Sequence, residues 1–140
     1  MTEDLWGELP NTDNIRTSFT VLKEQADLLA KKSHGILIGE IENRQETFQT
    51  EKGGNFIEST LYIFVPALSY RYGVVTLRHQ VDQYYPVVID DINELIQQNK
   101  KNCSNEKELK ETLRRILQAS KLQNVIYNLL IRVCEIQEHA

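Results

Sequence analysis

The spacing of hydrophobic residues changes at residue 36, and this change constrains the fold more than any other feature of the sequence. Over residues 18–33, apolar side chains recur every three to four residues, which is typical of an amphipathic helix. From Ile36 to Ile89 the period is two, which is typical of β-strands. After Pro86 the chain has no glycine and no proline, and helix-forming residues dominate. The sequence therefore predicts an α+β fold in which one helix precedes four strands and three helices follow them.

The N-terminal part of the chain is predicted to contain an arm and one helix. Residues 1–16 show no sustained periodicity and are expected to lie on the domain as an arm, with Trp6 as its anchor. The alternative is an exposed Trp6 that binds a partner. A helix is predicted over residues 18–33, because Thr17 or Ser18 can cap its N-terminus.

Four antiparallel strands are predicted within residues 36–89, paired in chain order as a meander. The first two are long and are joined by a hairpin loop at residues 51–55, whose glycines permit a tight turn. The polar residues near 43–50 place the tip of this hairpin in water. The last strand, residues 84–89, contains Pro86, which cannot donate a hydrogen bond to a neighbouring strand and therefore predicts a sheet edge.

Three helices packed on the sheet are predicted within residues 91–138. The first is short and is capped by Asp91, with Glu94 three residues later as in a capping box. The apolar stripes of the second and third differ in phase by roughly 170° at 3.6 residues per turn. Since one straight helix cannot bury both stripes, we expect a break near residues 119–121 that folds the two into an antiparallel hairpin. The alternative is a single helix over residues 104–138, which would favour a dimer.

The length of the chain is that of one domain, residues 1–140. With 140 residues, of which 41% are hydrophobic, it can close a core without disulfides or metal. Within this domain we distinguish the arm (1–16), the sheet (36–89) and the helical part (91–138). The two cysteines are predicted to be free thiols. The acidic N-terminus does not resemble a secretory signal, so the protein is expected in the cytoplasm.

Net charge and hydropathy argue against two classes of partner. The chain has 16 basic and 20 acidic residues, a net charge of −4, and no cluster of basic residues, which disfavours nucleic acid. Its longest uncharged apolar run, Leu61 to Leu68, has eight residues, whereas about 20 are needed to span a membrane. The sequence therefore predicts neither a nucleic-acid ligand nor a membrane span.

Motifs for catalysis and metal binding are missing from the sequence. The only glycine pair, Gly53 and Gly54, lies between two strands and cannot form a phosphate loop ahead of a helix. The three histidines share no metal-ligand spacing. Glu40 and Glu42 lie on one strand face and could hold a divalent cation, but a solvated hairpin face explains them more simply. We therefore predict no catalytic residue, no metal and no cofactor.

One aromatic surface is not explained by folding alone. Alternation along the second and third strands places four aromatic rings and a guanidinium on one side of the sheet, and these residue types are enriched in protein interfaces. Either the helices cover this side, or it is exposed and binds a partner. The five candidate binding residues are Tyr62, Phe64, Tyr70, Tyr72 and Arg78.

Two functional hypotheses follow from these observations. The first is a non-enzymatic cytoplasmic protein-interaction module that binds or neutralises a partner protein. The alternative is a small enzyme or ligand-binding domain, whose anionic ligand would be held by Arg78 and tyrosine hydroxyls in a pocket between the sheet and the C-terminal helices. We also expect a homo-oligomer, because the last helix is long and apolar.

Overall fold

The computed structural model describes residues 2–11, 16–48, 54–97 and 100–138. Within these residues the chain forms five strands in one antiparallel sheet, in the order β1-β2-β3-β4-β5, together with three α-helices. The α+β class and the order of the strands along the sheet are therefore confirmed. The elements in chain order are α1 (Ser18–Lys32), β1 (Ile38–Phe48), β2 (Gly54–Val65), a 3₁₀ turn (Pro66–Leu68), β3 (Tyr70–Gln80), β4 (Val87–Asp90), β5 (Lys101–Cys103), α2 (Glu106–Leu117) and α3 (Ser120–Glu138).

Helix α1 begins and ends where the sequence indicates. The Thr17 hydroxyl accepts a hydrogen bond from the amide of Thr20 at 3.1 Å, which satisfies a donor that the first helical turn leaves without a partner. After Lys32 the chain leaves the helix through His34 and Gly35, with φ of 53° and 82°. These left-handed conformations end the helix, one residue before the predicted boundary at residue 33.

The segment after β4 is not the short helix that the sequence predicted. The Asp91 carboxylate does accept hydrogen bonds from the amides of Leu95 and Ile96, both at 2.8 Å, as a capping residue would. The helix does not propagate, because Glu94 and Gln97 adopt left-handed φ values of 52° and 53°. The sequence signal identified the capping side chain correctly and the element that follows it wrongly.

The sheet has a fifth strand that the sequence analysis did not predict. β5 is three residues long and polar except for Cys103, whose side chain is fully buried. It pairs with β4, so β4 is an inner strand and the prediction of an edge at this position is wrong. Pro86 lies immediately before β4 and therefore does not interrupt the hydrogen bonds of the sheet.

The two C-terminal helices are separate, as their phase difference predicted. Helix α2 ends at Leu117 and α3 begins at Ser120. The side-chain amide of Gln123 donates to the carbonyl of Leu117 at 2.9 Å and satisfies a terminal acceptor of α2. The N-terminal cap of α2 is Asn105, whose side chain accepts from the amide of Glu108 at 2.9 Å.

The core lies between one face of the sheet and the three helices. Gly39 of β1 marks the approach of α1, since a β-carbon at this glycine would lie 2.5 Å from Cα of Ala26. No helix among the described residues covers the opposite face. The buried core residues include Leu22, Leu61, Val75, Leu77, Leu113 and Leu122.

The N-terminal arm does not pack as predicted. Trp6 is 85% exposed, and Leu5 and Leu9 are exposed with it, so none of the three anchors the arm to the domain. The predicted hairpin loop at 51–55 falls mostly outside the described residues.

Candidate functional site

A β-bulge in β3 decides which side chains share a face of the sheet. Leu61 pairs with Val75, but the next residue of β2, Tyr62, pairs with Gly73, so Val74 has no partner across the strands. Val74 and Val75 are both fully buried, which places two consecutive side chains on the helix side. The alternation of β3 therefore reverses at Val74.

The bulge splits the predicted aromatic surface into two. Tyr62, Phe64 and Arg78 lie on the face without helices. Tyr70 and Tyr72 pair with Val65 and Ile63 and lie on the helix-covered face. The prediction that all five share one face is therefore wrong, because it assumed unbroken alternation along β3.

Tyr72 and Tyr70 differ in exposure at the end of the covered face. Tyr72 packs against the hydrophobic core, and this burial raises the pKa of its phenol above the ordinary value, with smaller contributions from Tyr70 and Asp91. Tyr70, the first residue of β3, is exposed. The interpretation that the helices cover the aromatic residues thus holds for Tyr72.

We call the sheet face that carries no described helix the open sheet face. Opposed pairs of residues on β1, β2 and β3 build this face. Most of its side chains are half-buried by one another, so the surface is continuous. It includes Ile38, Glu40, Glu42 and Arg44 of β1, Phe56, Glu58, Thr60, Tyr62 and Phe64 of β2, and Arg71, Thr76 and Arg78 of β3.

Arg71 and Tyr62 form the first of two charged and aromatic clusters on the open sheet face. The guanidinium carbon of Arg71 lies 3.9 Å from the centre of the Tyr62 ring, a cation–π contact. The same guanidinium lies 3.7 Å from a carboxylate oxygen of Glu42. Arg71 is thus held over the ring while remaining partly in water.

Arg78 and Glu58 form the second cluster. The Arg78 guanidinium donates to the Glu58 carboxylate at 3.0 Å and lies 6.0 Å from the centre of the Phe56 ring. Between the two clusters the hydroxyls of Thr60 and Thr76 are hydrogen-bonded at 2.9 Å. The open sheet face therefore alternates charged, hydroxyl and aromatic groups, and both arginines and both threonines have a partner on the same face.

Arg71 belongs to the open sheet face and was missed by the sequence analysis, which considered its partner Glu42 only as a possible cation ligand. The signal that could have found Arg71 is Gly73, because a glycine inside a strand pattern often marks a bulge. A β-carbon at Gly73 would lie 3.5 Å from the Tyr62 ring, so the two residues share a face. Counting two residues back from Gly73 places Arg71 on that face as well.

A groove lies on the other side of the sheet, between the three helices. Its volume is about 530 Å³, and its floor is formed by Leu61, Ile63 and Val74. A cavity between the sheet and the C-terminal helices was part of the alternative hypothesis. The groove contains neither Arg78 nor a tyrosine, however, and Arg78 lies on the opposite face of the sheet.

His79 lies on the covered face, as predicted for a core or rim histidine. Its Nδ1 atom lies 2.7 Å from the carbonyl oxygen of Gln80 and 2.8 Å from that of Gln83. Because both neighbours are acceptors, Nδ1 carries the proton. This histidine ties the end of β3 to the loop that follows.

The described parts of the chain contain neither a group of metal-ligating side chains nor a helix that could cross a membrane. No group of three or more histidine, cysteine, aspartate or glutamate side chains there is arranged to hold a metal ion. In the same residues no helix is both long and apolar enough to cross a membrane.

Comparison with known proteins gives no family assignment. No family model matches the chain. Neither the curated proteins nor the solved structures contain a significant match to it.

Proposed function

We propose that this protein is a non-enzymatic, cytoplasmic interaction module that binds a partner protein through the open sheet face. The observation that carries the proposal is the stacking of Arg71 on Tyr62 at 3.9 Å on a face that no described helix covers. Arginine and tyrosine are enriched among the residues that dominate binding energy in protein interfaces. A site that is fixed before binding loses little side-chain freedom when a partner docks.

The shape of the open sheet face favours a protein over a small ligand. Small-molecule sites are concave and enclose most of the ligand surface. The open sheet face instead presents three long neighbouring strands, and its charges of both signs suit a partner with complementary charges.

The alternative proposal is a domain that binds an anionic ligand between the sheet and the C-terminal helices. The groove favours it, because Lys110 and Arg114 lie at its rim above an apolar floor. It has less support than the first proposal, since the polar groups expected to orient the ligand, Arg78 and the tyrosine hydroxyls, do not line the groove.

The test of partner binding is affinity purification from the native host followed by mass spectrometry. We expect a partner that the unmodified protein captures to be lost from the double variant Tyr62→Ala/Arg71→Ala. The matched control is Tyr72→Ala, which removes the same ring from the covered face and should retain the partner while lowering stability. Equal capture by the double variant would refute the proposal.

Self-association is a further part of the proposal. Helix α3 leaves Tyr127, Ile131 and Ile136 exposed, and Tyr127 and Ile131 are four residues apart and therefore neighbours on the helix surface. A second copy of the chain would cover apolar surface of this kind. Sedimentation at increasing concentration tests it, and a monomer at all concentrations would contradict it. The surface used is a separate question.

A further inference from the structure

The groove between the helices is apolar inside and basic at its rim. Its floor and walls include Leu61, Leu113 and Leu122, each buried in the core. Its volume of about 530 Å³ lies within the range of about 300–1,000 Å³ found for pockets that enclose a small molecule, which is larger than an indole ring.

Two cations at the rim have no ion-pair partner among the described residues. Lys32 and Arg114 line the groove and form no ion pair within the described parts of the chain. Lys110 pairs with Glu106 at 3.0 Å, and the acidic rim residue Glu24 pairs with Arg16. The rim therefore carries a net positive charge.

The N-terminal arm has the complementary composition. Residues 2–11 expose Leu5, Trp6 and Leu9, the largest apolar side chains of the arm. The same segment carries three carboxylates and no basic residue. An apolar segment with acidic flanks matches an apolar groove with a basic rim.

The arm also leaves the domain at the rim of the groove. Arg16 bonds to Glu24, which lines the groove, and its Nε donates to Glu106 at 3.2 Å. Trp6 is ten residues before Arg16, a separation that an extended chain spans over about 33 Å. A groove close to this rim is therefore within reach of the indole ring.

We propose that the arm of a second copy of this chain occupies the groove, with Trp6 inserted between α1 and the C-terminal helices. In the single chain none of residues 2–11 lines the groove, and Trp6 is 85% exposed. Two chains that face each other across this rim exchange arms, so that each buries the tryptophan of the other. The arm and the groove thus form the interface between two copies of the chain. This interface is separate from the open sheet face, so self-association does not depend on partner binding there.

The first experiment uses the only tryptophan of the chain as a probe. Fluorescence emission of the full chain is recorded over a range of concentrations, in parallel with sedimentation. We expect Trp6 emission to shift to shorter wavelength at the same concentrations at which the dimer forms. Trp6 emission at a short wavelength that does not change with concentration would mean that the arm fills the groove of its own chain. This result would overturn the proposal. A dimer with unshifted emission would overturn it too and would point to α3.

The second experiment exchanges the charges of the arm and the rim. One variant carries Lys32→Glu and Arg114→Glu, and the other carries Asp4→Lys and Glu8→Lys. These four side chains are exposed, so folding should be unaffected, which circular dichroism checks. We expect each variant alone to remain monomeric, with Trp6 exposed.

Mixing the two variants should restore a dimer with buried Trp6. In the mixed pair each arm meets a groove of opposite charge, because the exchange is reciprocal. No association in the mixture, or full association of either variant alone, would overturn the proposal. A mixture that associates through α3 would leave the emission of Trp6 unchanged and would overturn it as well.

Discussion

Gly39 and Gly73 lie on opposite faces of the sheet, and the space around each glycine shows how tightly its face is packed. At Gly39 an added β-carbon would lie 2.5 Å from the backbone Cα of Ala26 in α1. At Gly73 it would lie 2.9 Å from Cδ1 of Ile92, the far end of a partly exposed side chain. The backbone of a packed helix cannot move aside cheaply, whereas the tip of a side chain can.

We therefore predict that Gly39→Ala lowers the free energy of unfolding by about 1–3 kcal/mol, the usual effect of overpacking. Gly73→Ala is the matched control on the open sheet face and should have a smaller effect, because Ile92 can rotate away. Urea unfolding midpoints measure both. Equal midpoints for Gly39→Ala and the unmodified protein would show that α1 does not approach β1 at this position.

At the scale of elements, the C-terminal helices show what a hydrophobic stripe does and does not determine. The apolar stripe of α3 runs from Leu122 to Ile136, and its periodicity alone predicts that every residue in it is buried. Only Leu122 and Val133 of this helix are buried, and Leu129 is half-buried. The position of α3 at the border of the core, rather than its periodicity, decides which residues pack fully.

This difference gives a prediction for three leucines. Leu61→Ala and Leu122→Ala should each lower the free energy of unfolding by about 2–5 kcal/mol, because both side chains are buried in the core. Leu129→Ala, which the stripe alone would place in the same range, should have a clearly smaller effect. Urea denaturation of the three variants provides the comparison, and the same loss at all three positions would contradict the half-burial of Leu129.

The strands could be predicted from the sequence only in part. Period-two alternation was sufficient to predict β1, β2 and β3 and their order, and a phase argument was sufficient to separate α2 from α3. The bulge at Val74 inserts one residue without changing the apolar pattern, so alternation alone assigned Tyr70 and Tyr72 to the wrong face. β5 has three residues, too few for a period to be detected, and it pairs only because β4 offers it a strand edge.

At the scale of the whole molecule, one arginine joins the arm to two helices. Arg16 bonds to Glu24 of α1 and Glu106 of α2. The pKa of the Glu24 carboxyl is lowered mainly by its hydrogen bond from Arg16, and that of Glu106 is lowered by Lys110 and then by Arg16. Both carboxylates are partly exposed, and solvent screens their interaction with Arg16, so the expected effect is a direction.

The sign of the pH dependence follows from these lowered pKa values. The unfolded carboxyls titrate near 4.5, so at lower pH the unfolded chain binds more protons than the folded one until the lowered pKa is passed. The stabilisation is complete above this range and decreases as the pH falls through it. We predict that Arg16→Met makes the decrease between pH 6 and pH 3 smaller, measured by urea unfolding. An unchanged decrease would show that Arg16 does not bind these carboxylates in solution.

The molecule has two unlike sides, and the central claim is that a different protein binds the open sheet face, whereas the helical side meets only a second copy of this chain. Site-specific photo-crosslinking in the native host tests it most directly. The chain offers matched positions: Tyr62 on the open sheet face and Tyr127, which is 63% exposed, on α3. Each is replaced by the photoreactive residue p-benzoylphenylalanine, which is larger than tyrosine but keeps an aromatic ring at the position. We predict an adduct with one partner protein from position 62 and no such adduct from position 127; an adduct from position 127 alone, or from neither position, would contradict the account.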